Sequence, residues 1–238
     1  MADSLLTLQD LRFTWPGARR VCLDVADLRV ERGEAVFLHG PSGCGKSTLL
    51  SLMAGVLLPQ AGRAALLGTH WGNLGASARD RYRVDHVGYL FQQFNLLPYL
   101  TALDNVLLPC RFSTRRRDAA VRQAGSLRSA AEHWLTGMDL DPSVWPCAAH
   151  TLSVGQQQRV AAARALLGSP DLIIADEPTS ALDEDRRERF LDLLLSACTQ
   201  AGSALVLVSH DRRIATRFRR QVSLPSINRA AWIPGAAG

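Results

Sequence analysis

The chain has 238 residues, of which 47% are hydrophobic, and its formal net charge is +5. This length and composition suit one large α/β domain with a filled core, which excludes a disordered tail and a small scaffold held by disulfides. A moderately basic charge suits an anionic ligand, a membrane surface or nucleic acid, and does not distinguish them.

The first half of the chain predicts strands, a turn and a helix in that order. Short apolar runs within 4–30, broken by Pro16-Gly17 and by charges, predict strands of a small antiparallel sheet. The apolar run at 35–38 predicts a strand that ends in a glycine-rich turn. Apolar residues at helical spacing over 47–57 then predict a helix.

The second half predicts a helical insertion followed by buried strands. Residues 101–149 are rich in Arg and Ala and have helical periodicity. The runs 172–175 and 204–208 are short and strongly apolar, as strands covered on both faces would be. Strands that alternate with helices indicate a mostly parallel sheet. The segment 225–238 is the one candidate for disorder.

The apolar runs and the cysteine spacing indicate in which cellular compartment the chain works. The longest apolar run, 49–59, falls short of the roughly 20 residues that a spanning helix needs. Residues 1–10 lack the basic start of a secretory signal. The five cysteines include no Cys-x-x-Cys pair, which argues against a zinc site and a disulfide framework. We therefore expect residence in the cytoplasm.

A glycine-rich sequence at 40–47 fits the pattern G-x-x-x-x-G-K-[ST] completely and lies between the predicted strand and helix. Its glycines let backbone N–H groups surround phosphate oxygens, so that Lys46 should reach the β- and γ-phosphates of ATP while Ser47 binds Mg²⁺. The alternative is a glycine-rich turn that binds nothing. The predicted nucleotide-binding residues are Gly40, Pro41, Ser42, Gly43, Cys44, Gly45, Lys46, Ser47 and Thr48. For Cys44, the neighbouring lysine and the helix N-terminus also predict a lowered thiol pKa.

Two acids and a histidine follow the buried strands, where α/β folds present ligands. Asp176 would hold Mg²⁺ and Glu177 would act as the general base on the attacking water. Adjacent acids after a strand also serve as helix caps, and this stays the alternative. His210 follows the run 204–208 and would contact the γ-phosphate, whereas a lone histidine there is more often merely solvated.

The sequence Leu-Ser-Val-Gly-Gln at 152–156, followed by Gln-Gln-Arg-Val-Ala-Ala-Ala-Arg-Ala, resembles the signature of the nucleotide-binding subunits of ABC transporters. The resemblance runs from about residue 5 to Asp211. It implies the α/β fold of a P-loop NTPase, a mostly parallel RecA-like sheet with an N-terminal antiparallel β subdomain and a helical insertion subdomain. The implied division of the single domain is 4–34 for the antiparallel part, 35–95 and 160–222 for the ATP-binding core, and 96–159 for the helical subdomain.

The resemblance also assigns further residues. Ser153, Gly155 and Gln156 would close over the γ-phosphate bound to a second copy of the chain. Gln92 looks like the glutamine that senses Mg²⁺ and the attacking water, although a bland loop glutamine is the alternative. Trp15 stands where the family places an aromatic that stacks on adenine, against the alternative of an ordinary tryptophan on an edge strand. The segment 180–183 resembles the loop that crosses the dimer interface.

Two departures from the family pattern stand out. Val154 replaces the second residue of a Gly-Gly pair, which removes some backbone freedom. The segment after His210 is short and rich in arginine where relatives often add strands.

Other arginines within the helical insertion predict a solvated helix face, or else a surface for acidic loops or lipid head groups. They are Arg111, Arg115, Arg116, Arg117 and Arg122.

The family resemblance implies a function. It implies an ATP- and Mg²⁺-dependent ATPase that works as a homodimer beneath a separate integral-membrane permease, on the cytoplasmic side of the inner membrane. The sequences at 87–98 and 100–106 look most like the macrolide-exporter and lipoprotein-release group, so export or extraction is expected, with a periplasmic adaptor reached through the permease. Nucleic acid is not an expected partner. The alternative is an ATPase that activates a periplasmic protein through a membrane partner and moves no substrate.

Overall fold

A computed structural model describes residues 4–180 and 182–230 of the chain. Its strands are β1 (Ser4–Phe13), β2 (Leu23–Glu31), β3 (Ala35–His39), β4 (Ala61–Leu66), β5 (Thr69–His70), β6 (Val87–Leu90), β7 (Leu172–Asp176), β8 (Ala204–Val208) and β9 (Arg220–Ser223). Its α-helices are α1 (Lys46–Met53), α2 (Ala76–His86), α3 (Ala102–Phe112), α4 (Thr114–Ala124), α5 (Leu127–Gly137), α6 (Val154–Leu166), α7 (Glu184–Ala201) and α8 (Leu224–Ile227).

The strands form two sheets. One has the order β6-β7-β8-β3-β9, and all of its neighbouring pairs run parallel. The other is antiparallel and has the order β2-β1-β4-β5. The fold class expected from the sequence, a parallel sheet with an antiparallel β part and helices, is confirmed.

The antiparallel sheet extends further along the chain than the sequence indicated. The apolar runs expected within 4–30 join into only two strands, because β1 and β2 stay paired through their polar positions. Residues 61–70 add β4 and β5 to this sheet, although they fall within the predicted ATP-binding core. The sequence of β4, Ala-Gly-Arg-Ala-Ala-Leu, has small residues and no β-branched side chain, which explains why its strand signal is weak.

Side chains on opposite faces of the parallel sheet enter two separate cores. Phe37, Ile173 and Leu205 face one core, which is shared with α3, α5, α6 and α7. Val36 and Ile174 alternate with them and face the other core, which is shared with α1 and the antiparallel sheet. Strands buried on both faces explain the continuous apolar runs in the sequence.

The helical insertion packs against α6. Helices α3, α4 and α5 lie within 102–137, and α3 and α5 both contact α6. Helix α6 begins at Val154, so the boundary expected between 159 and 160 falls inside a continuous helix. The helix therefore belongs physically to both parts, since its Arg159 bonds to Asp139 after α5 while its later residues pack in the core shared with the sheet.

The segment after His210 forms compact structure. A 3-10 helix, Arg212–Arg217, leads into β9, which pairs in parallel with β3. The side chain of Asn228 accepts a hydrogen bond from the Asp24 N–H at 2.8 Å and donates one to the Cys22 carbonyl at 3.1 Å. The first residues of the segment predicted to be disordered, 225–230, are thus packed, while 231–238 lie outside the described residues.

Within residues 4–180 and 182–230, no helix is both long enough and apolar enough to cross a bilayer.

Gly88 allows α6 to lie close to β6. A Cβ atom at this position would lie 2.2 Å from the Ala165 carbonyl oxygen and 2.6 Å from the Ile173 Cδ1 atom. Because the first of these neighbours is backbone, a side-chain rotation cannot relieve the contact. The helix and the strand would have to separate.

We expect Gly88→Ala to lower the free energy of unfolding by about 1–3 kcal/mol, the usual cost of overpacking a core. Urea unfolding followed by circular dichroism measures this change. Gly72→Ala is the control, because a Cβ there would meet no atom within 4 Å. Equal stability of the two variants would show that β6 and α6 are not tightly packed at Gly88.

Candidate active site

Four predicted site segments lie at one edge of the parallel sheet. The phosphate loop follows β3, Asp176 and Glu177 end β7, His210 follows β8, and Gln92 follows β6. Because parallel strands present their carboxyl ends at the same edge, the fold brings these residues together although the sequence separates them widely.

The phosphate loop has the backbone that its glycines were expected to supply. Gly43 and Gly45 have φ angles of 75° and 100°, in the left-handed region that favours glycine. A Cβ on Gly45 would also lie 2.9 Å from a methyl group of Leu23. The Lys46 ammonium donates hydrogen bonds to the carbonyls of Gly40 at 2.9 Å and Pro41 at 3.0 Å. The lysine therefore lies across the loop at the N-terminus of α1.

Two side chains of the loop point inward. Cys44 is buried, and its sulfur lies where a Cβ on Gly40 would come within 2.7 Å. Thr48 is also buried, and its hydroxyl accepts a weak hydrogen bond from Cys22 Sγ at 3.8 Å. These two residues face the interior with their side chains, so any contact they make with phosphate would come from their backbone N–H groups.

The expected lowering of the Cys44 thiol pKa is wrong. Burial raises the pKa of the Cys44 thiol, and this outweighs the opposing influence of the Lys46 charge and of backbone hydrogen bonds. The sequence placed the cysteine near positive charge correctly but did not show which way its side chain turns.

Ser47 and Asp176 form a pair of oxygen donors beside Lys46. The Ser47 side chain lies near the Asp176 carboxyl group and acts on its pKa as a hydrogen-bond donor. Burial raises the pKa of Asp176 and the Glu177 charge adds to this, while the Ser47 hydrogen bond and the Lys46 charge oppose it. Mg²⁺ prefers oxygen ligands and keeps much of its shell for water and substrate phosphates. The chemistry of this pair therefore fits Mg²⁺ that arrives with a nucleotide.

Glu177 is held in a strained conformation next to His210. Its φ is 47°, which is uncommon for a residue other than glycine, and its N–H donates to the Val208 carbonyl at 2.9 Å. One carboxylate oxygen lies 2.9 Å from His210 Nδ1. The Glu177 side chain is only 13% exposed, whereas that of His210 is 68% exposed. The pair thus places a shielded carboxylate behind an accessible imidazole.

Gln92 and Trp15 are both accessible. Gln92 is exposed in the loop after β6. Trp15 is 46% exposed and packs only edge-on against Phe13, with ring centroids 5.2 Å apart. An exposed ring face is what stacking on a nucleotide base requires, and this role for Trp15 stays a prediction.

The signature residues begin α6 and cap it. Gln156 N–H donates to Ser153 Oγ at 3.3 Å, and Ser153 N–H donates to Gln156 Oε1 at 2.9 Å, which is a complete capping box. Ser153 is exposed, and a Cβ on Gly155 would meet nothing within 4 Å. The structure thus shows Gln156 bonded within its own helix, while its predicted nucleotide contact stays untested. Of the segment 180–183, Ala181 lies outside the described residues.

Two polar residues of α6 were missed by the sequence analysis, Gln158, which is buried, and Arg164, which is partly buried. Gln158 donates to the Pro178 carbonyl at 2.7 Å, directly after Glu177, and Arg164 donates to two carbonyls in the Gln92 loop. Arg164 interrupts a run of buried Ala residues, which is the signal that could have revealed it. Arg116, expected on a solvated face, is buried and donates to the Leu167 and Ala165 carbonyls at 2.7 Å each.

The comparison with known proteins decides the family. A family model described as "ABC transporter" matches residues 23–180. The chain belongs to the ABC transporter family. This ABC protein is 37% identical to the lipoprotein-releasing system ATP-binding protein LolD of Legionella pneumophila (strain Paris), over 94% of this chain and 96% of that protein. It is 36% identical to the macrolide export ATP-binding/permease protein MacB of Rhodopseudomonas palustris (strain HaA2), over 94% of this chain and 33% of that protein.

A solved structure is similar over nearly the whole chain. It is titled as the dimeric, post-hydrolysis state of the ATP-binding cassette MJ0796 bound to ADP and Pi. The TM-score is 0.80 and the identity is 34%, over 92% of this chain and 93% of that one. The present ABC protein is an ATP-binding cassette that hydrolyses ATP, and the expected likeness to the lipoprotein-release and macrolide group is confirmed.

For Cys44 we now expect slow chemical modification. The thiolate is the reactive species, and both burial and the raised pKa reduce its amount and its access. A maleimide reagent at neutral pH should modify the partly exposed Cys147 first, and Cys44 on the order of tenfold more slowly. Peptide mass spectrometry over time measures both rates, and unfolding in denaturant is the control that should make them similar. Faster labelling of Cys44 in the native protein would contradict this.

For Val154 we expect a mild effect on turnover. The side chain is 50% exposed at the first residue of α6, and Gly155 and the Ser153 cap remain as the family pattern requires. Val154→Gly should leave ATP binding unchanged and alter kcat by less than about tenfold, or about 1.4 kcal/mol of barrier height. Steady-state ATPase assays measure this. A collapse of kcat would assign the valine an essential role.

Proposed function

We propose that this chain is the motor subunit of a membrane transport complex and works as an ATP-dependent homodimer on a separate integral-membrane permease. ATP and Mg²⁺ bind at the phosphate loop of one copy, and the signature of the second copy closes over the γ-phosphate. The subunit lies peripherally on the cytoplasmic side of the inner membrane. The transport is export or extraction, and a periplasmic adaptor is contacted through the permease.

The observation that carries this proposal is the exposed N-terminus of α6 at Ser153–Gly155. A helix N-terminus attracts anions through its free N–H groups and its dipole. The hydrogen bonds of Ser153 and Gln156 stay within the first turn of α6, while Lys46 lies at the N-terminus of a different helix. Because the signature is exposed and does not belong to the helix that carries the phosphate loop, we infer that it binds the γ-phosphate of a nucleotide held by another copy.

The chemistry expected at the sheet edge is hydrolysis of the γ-phosphate. Lys46 and the loop N–H groups hold the β- and γ-phosphates, and Ser47 and Asp176 are the residues that would hold Mg²⁺. When bound, Mg²⁺ would neutralise part of the phosphate charge. Glu177 takes a proton from water while the water oxygen attacks the γ-phosphorus and the bond to the β-phosphate oxygen breaks. His210 lies at hydrogen-bond distance from the Glu177 carboxylate and is exposed, and in this proposal its imidazole contacts the γ-phosphate.

The proposed partner follows from the relatives. LolD is the ATP-binding protein of a lipoprotein-releasing system, and MacB joins an ATP-binding part to a permease in one protein. This chain covers 33% of MacB, and in the proposed complex the permease is a separate protein. Purification from membranes with the chain tagged should recover such a permease in a stoichiometric complex. Recovery of the chain alone, with full ATPase activity, would contradict the transport proposal but not the ATPase.

The variant Glu177→Gln tests the assignment of the general base. The amide keeps the shape of the side chain but cannot accept the proton, so hydrolysis should fall by about 10²–10⁴-fold while the affinity for ATP changes little. ATP that is not hydrolysed keeps the two copies closed, so the variant should elute as a dimer with Mg-ATP. Size-exclusion chromatography and phosphate release measure the two effects.

Glu132→Gln is the matched control for this variant. Glu132 lies on α5 and pairs with Arg128 four residues earlier, at 2.8 Å. The control makes the same chemical change and should leave both hydrolysis and elution as in the original chain. If Glu177→Gln hydrolyses ATP at nearly the original rate, another residue is the base, and His210 is the next to test.

A further inference from the structure

The loop that carries Gln92 contains a strained turn. Asn95 N–H donates to the Gln93 carbonyl at 2.6 Å, which closes a three-residue turn around Phe94. The φ angles of Phe94 and Asn95 are 59° and 48°. A turn of this kind with a positive φ at its centre is rare and strained, and the strain is greatest for a bulky residue such as phenylalanine. The turn therefore needs contacts from outside to persist.

Arg164 supplies such contacts from α6, the helix that begins with the signature and is called the signature helix below. Its guanidinium donates one hydrogen bond to the Phe94 carbonyl at 2.5 Å and another to the Asn95 carbonyl at 2.7 Å. Two different nitrogens of the planar guanidinium fork donate to two carbonyls on adjacent residues, one each, so the fork fixes both peptide groups in one orientation. Phe94 itself is buried against the core shared with α6, so the turn is fixed from both sides.

Placing the Arg164 cation at this partly buried position has a desolvation cost, which its hydrogen-bond partners must offset. Burial lowers the pKa of Arg164 to about 10, and no carboxylate of the described residues lies within 4.0 Å of its guanidinium. A cation that loses water without gaining a carboxylate must be stabilised by the carbonyl dipoles that it meets. The carbonyls of Phe94 and Asn95 are those dipoles.

We propose that Arg164 is a positioning residue that fastens the Gln92 loop to the signature helix, so that Gln92 and Ser153 move as one unit. Gln92 is exposed and lies two residues before the strained turn, so the backbone of this loop sets where its side chain can reach. Arg164 acts through Gln92 and touches no nucleotide. The inference deepens the proposed function, because it rests on Gln92 serving the metal and the attacking water.

The variant Arg164→Met removes both hydrogen bonds while keeping an unbranched apolar stem. Amide hydrogen exchange of residues 93–97 should become faster by at least about tenfold, since the turn loses its outside contacts. The affinity for ATP should change less than about threefold, because the phosphate loop is untouched. The kcat should fall by about 10- to 100-fold, the size of effect expected when a reacting group is displaced by about 1 Å.

Arg116→Met is the matched control. Arg116 is also a buried arginine that donates to carbonyls at the end of α6, but its partners are Leu167, Ala165 and Arg164 rather than the Gln92 loop. This variant should lower stability without selective exchange at 93–97 and without the loss of kcat in the folded protein. Arg164→Lys keeps the positive charge but loses the planar fork, and should fall between the original chain and Arg164→Met. If Arg164→Met does not fold, Arg164→Lys replaces it in the comparison with Arg116→Met.

A double variant separates this inference from the proposed function. In a Gln92→Ala background, Arg164→Met should reduce kcat by less than about twofold, because residues that act as a unit are not additive. Independent losses that multiply would overturn the role of Arg164, as would equal exchange at 93–97 in Arg164→Met and Arg116→Met. If Gln92→Ala alone leaves kcat unchanged, the proposed role of Gln92 fails, and hydrogen exchange still decides whether Arg164 holds the loop.

Discussion

The close packing of α6 on β6 is the constraint on which the site depends. At Gly88 the strand meets the Ala165 carbonyl so closely that a Cβ would lie 2.2 Å from it. Strand β6 leads into the Gln92 loop, and α6 begins with the signature. A change in the spacing of these two elements would therefore shift Gln92 and the signature relative to each other. Because Gly88 has no side chain, β6 and α6 can stay at this short distance.

The same arrangement accounts for the proposed sharing of each site between two copies of the chain. The phosphate loop and the acids belong to the parallel sheet, whose strands end together at one edge. The signature begins a helix that also packs against the helical insertion. Gln158 joins these parts, because it donates from α6 to the carbonyl of Pro178, next to Glu177.

The features that the sequence predicted are local ones. The phosphate loop, the acids after β7 and the start of α6 depend on residue types at fixed spacing, and their backbone conformations are as expected. The sequence did not predict which way the Cys44 side chain turns or that Arg116 is buried, because both depend on neighbours distant in the chain. The strand β4 was missed for the same reason, since β1 stabilises it through pairing rather than through its own propensity.

Strain marks the two places where the site needs a fixed backbone. Glu177 and Phe94 both adopt left-handed conformations without being glycine. A conformation of this kind costs about 1–3 kcal/mol and persists only where neighbouring contacts enforce it. For Glu177 these contacts are the Val208 carbonyl and His210, and for Phe94 they are the Arg164 fork and the core. Glycine at either position would relieve the strain, but it would remove the carboxylate in one case and the buried ring in the other. The chain therefore keeps a costly backbone where the side chain is needed as well.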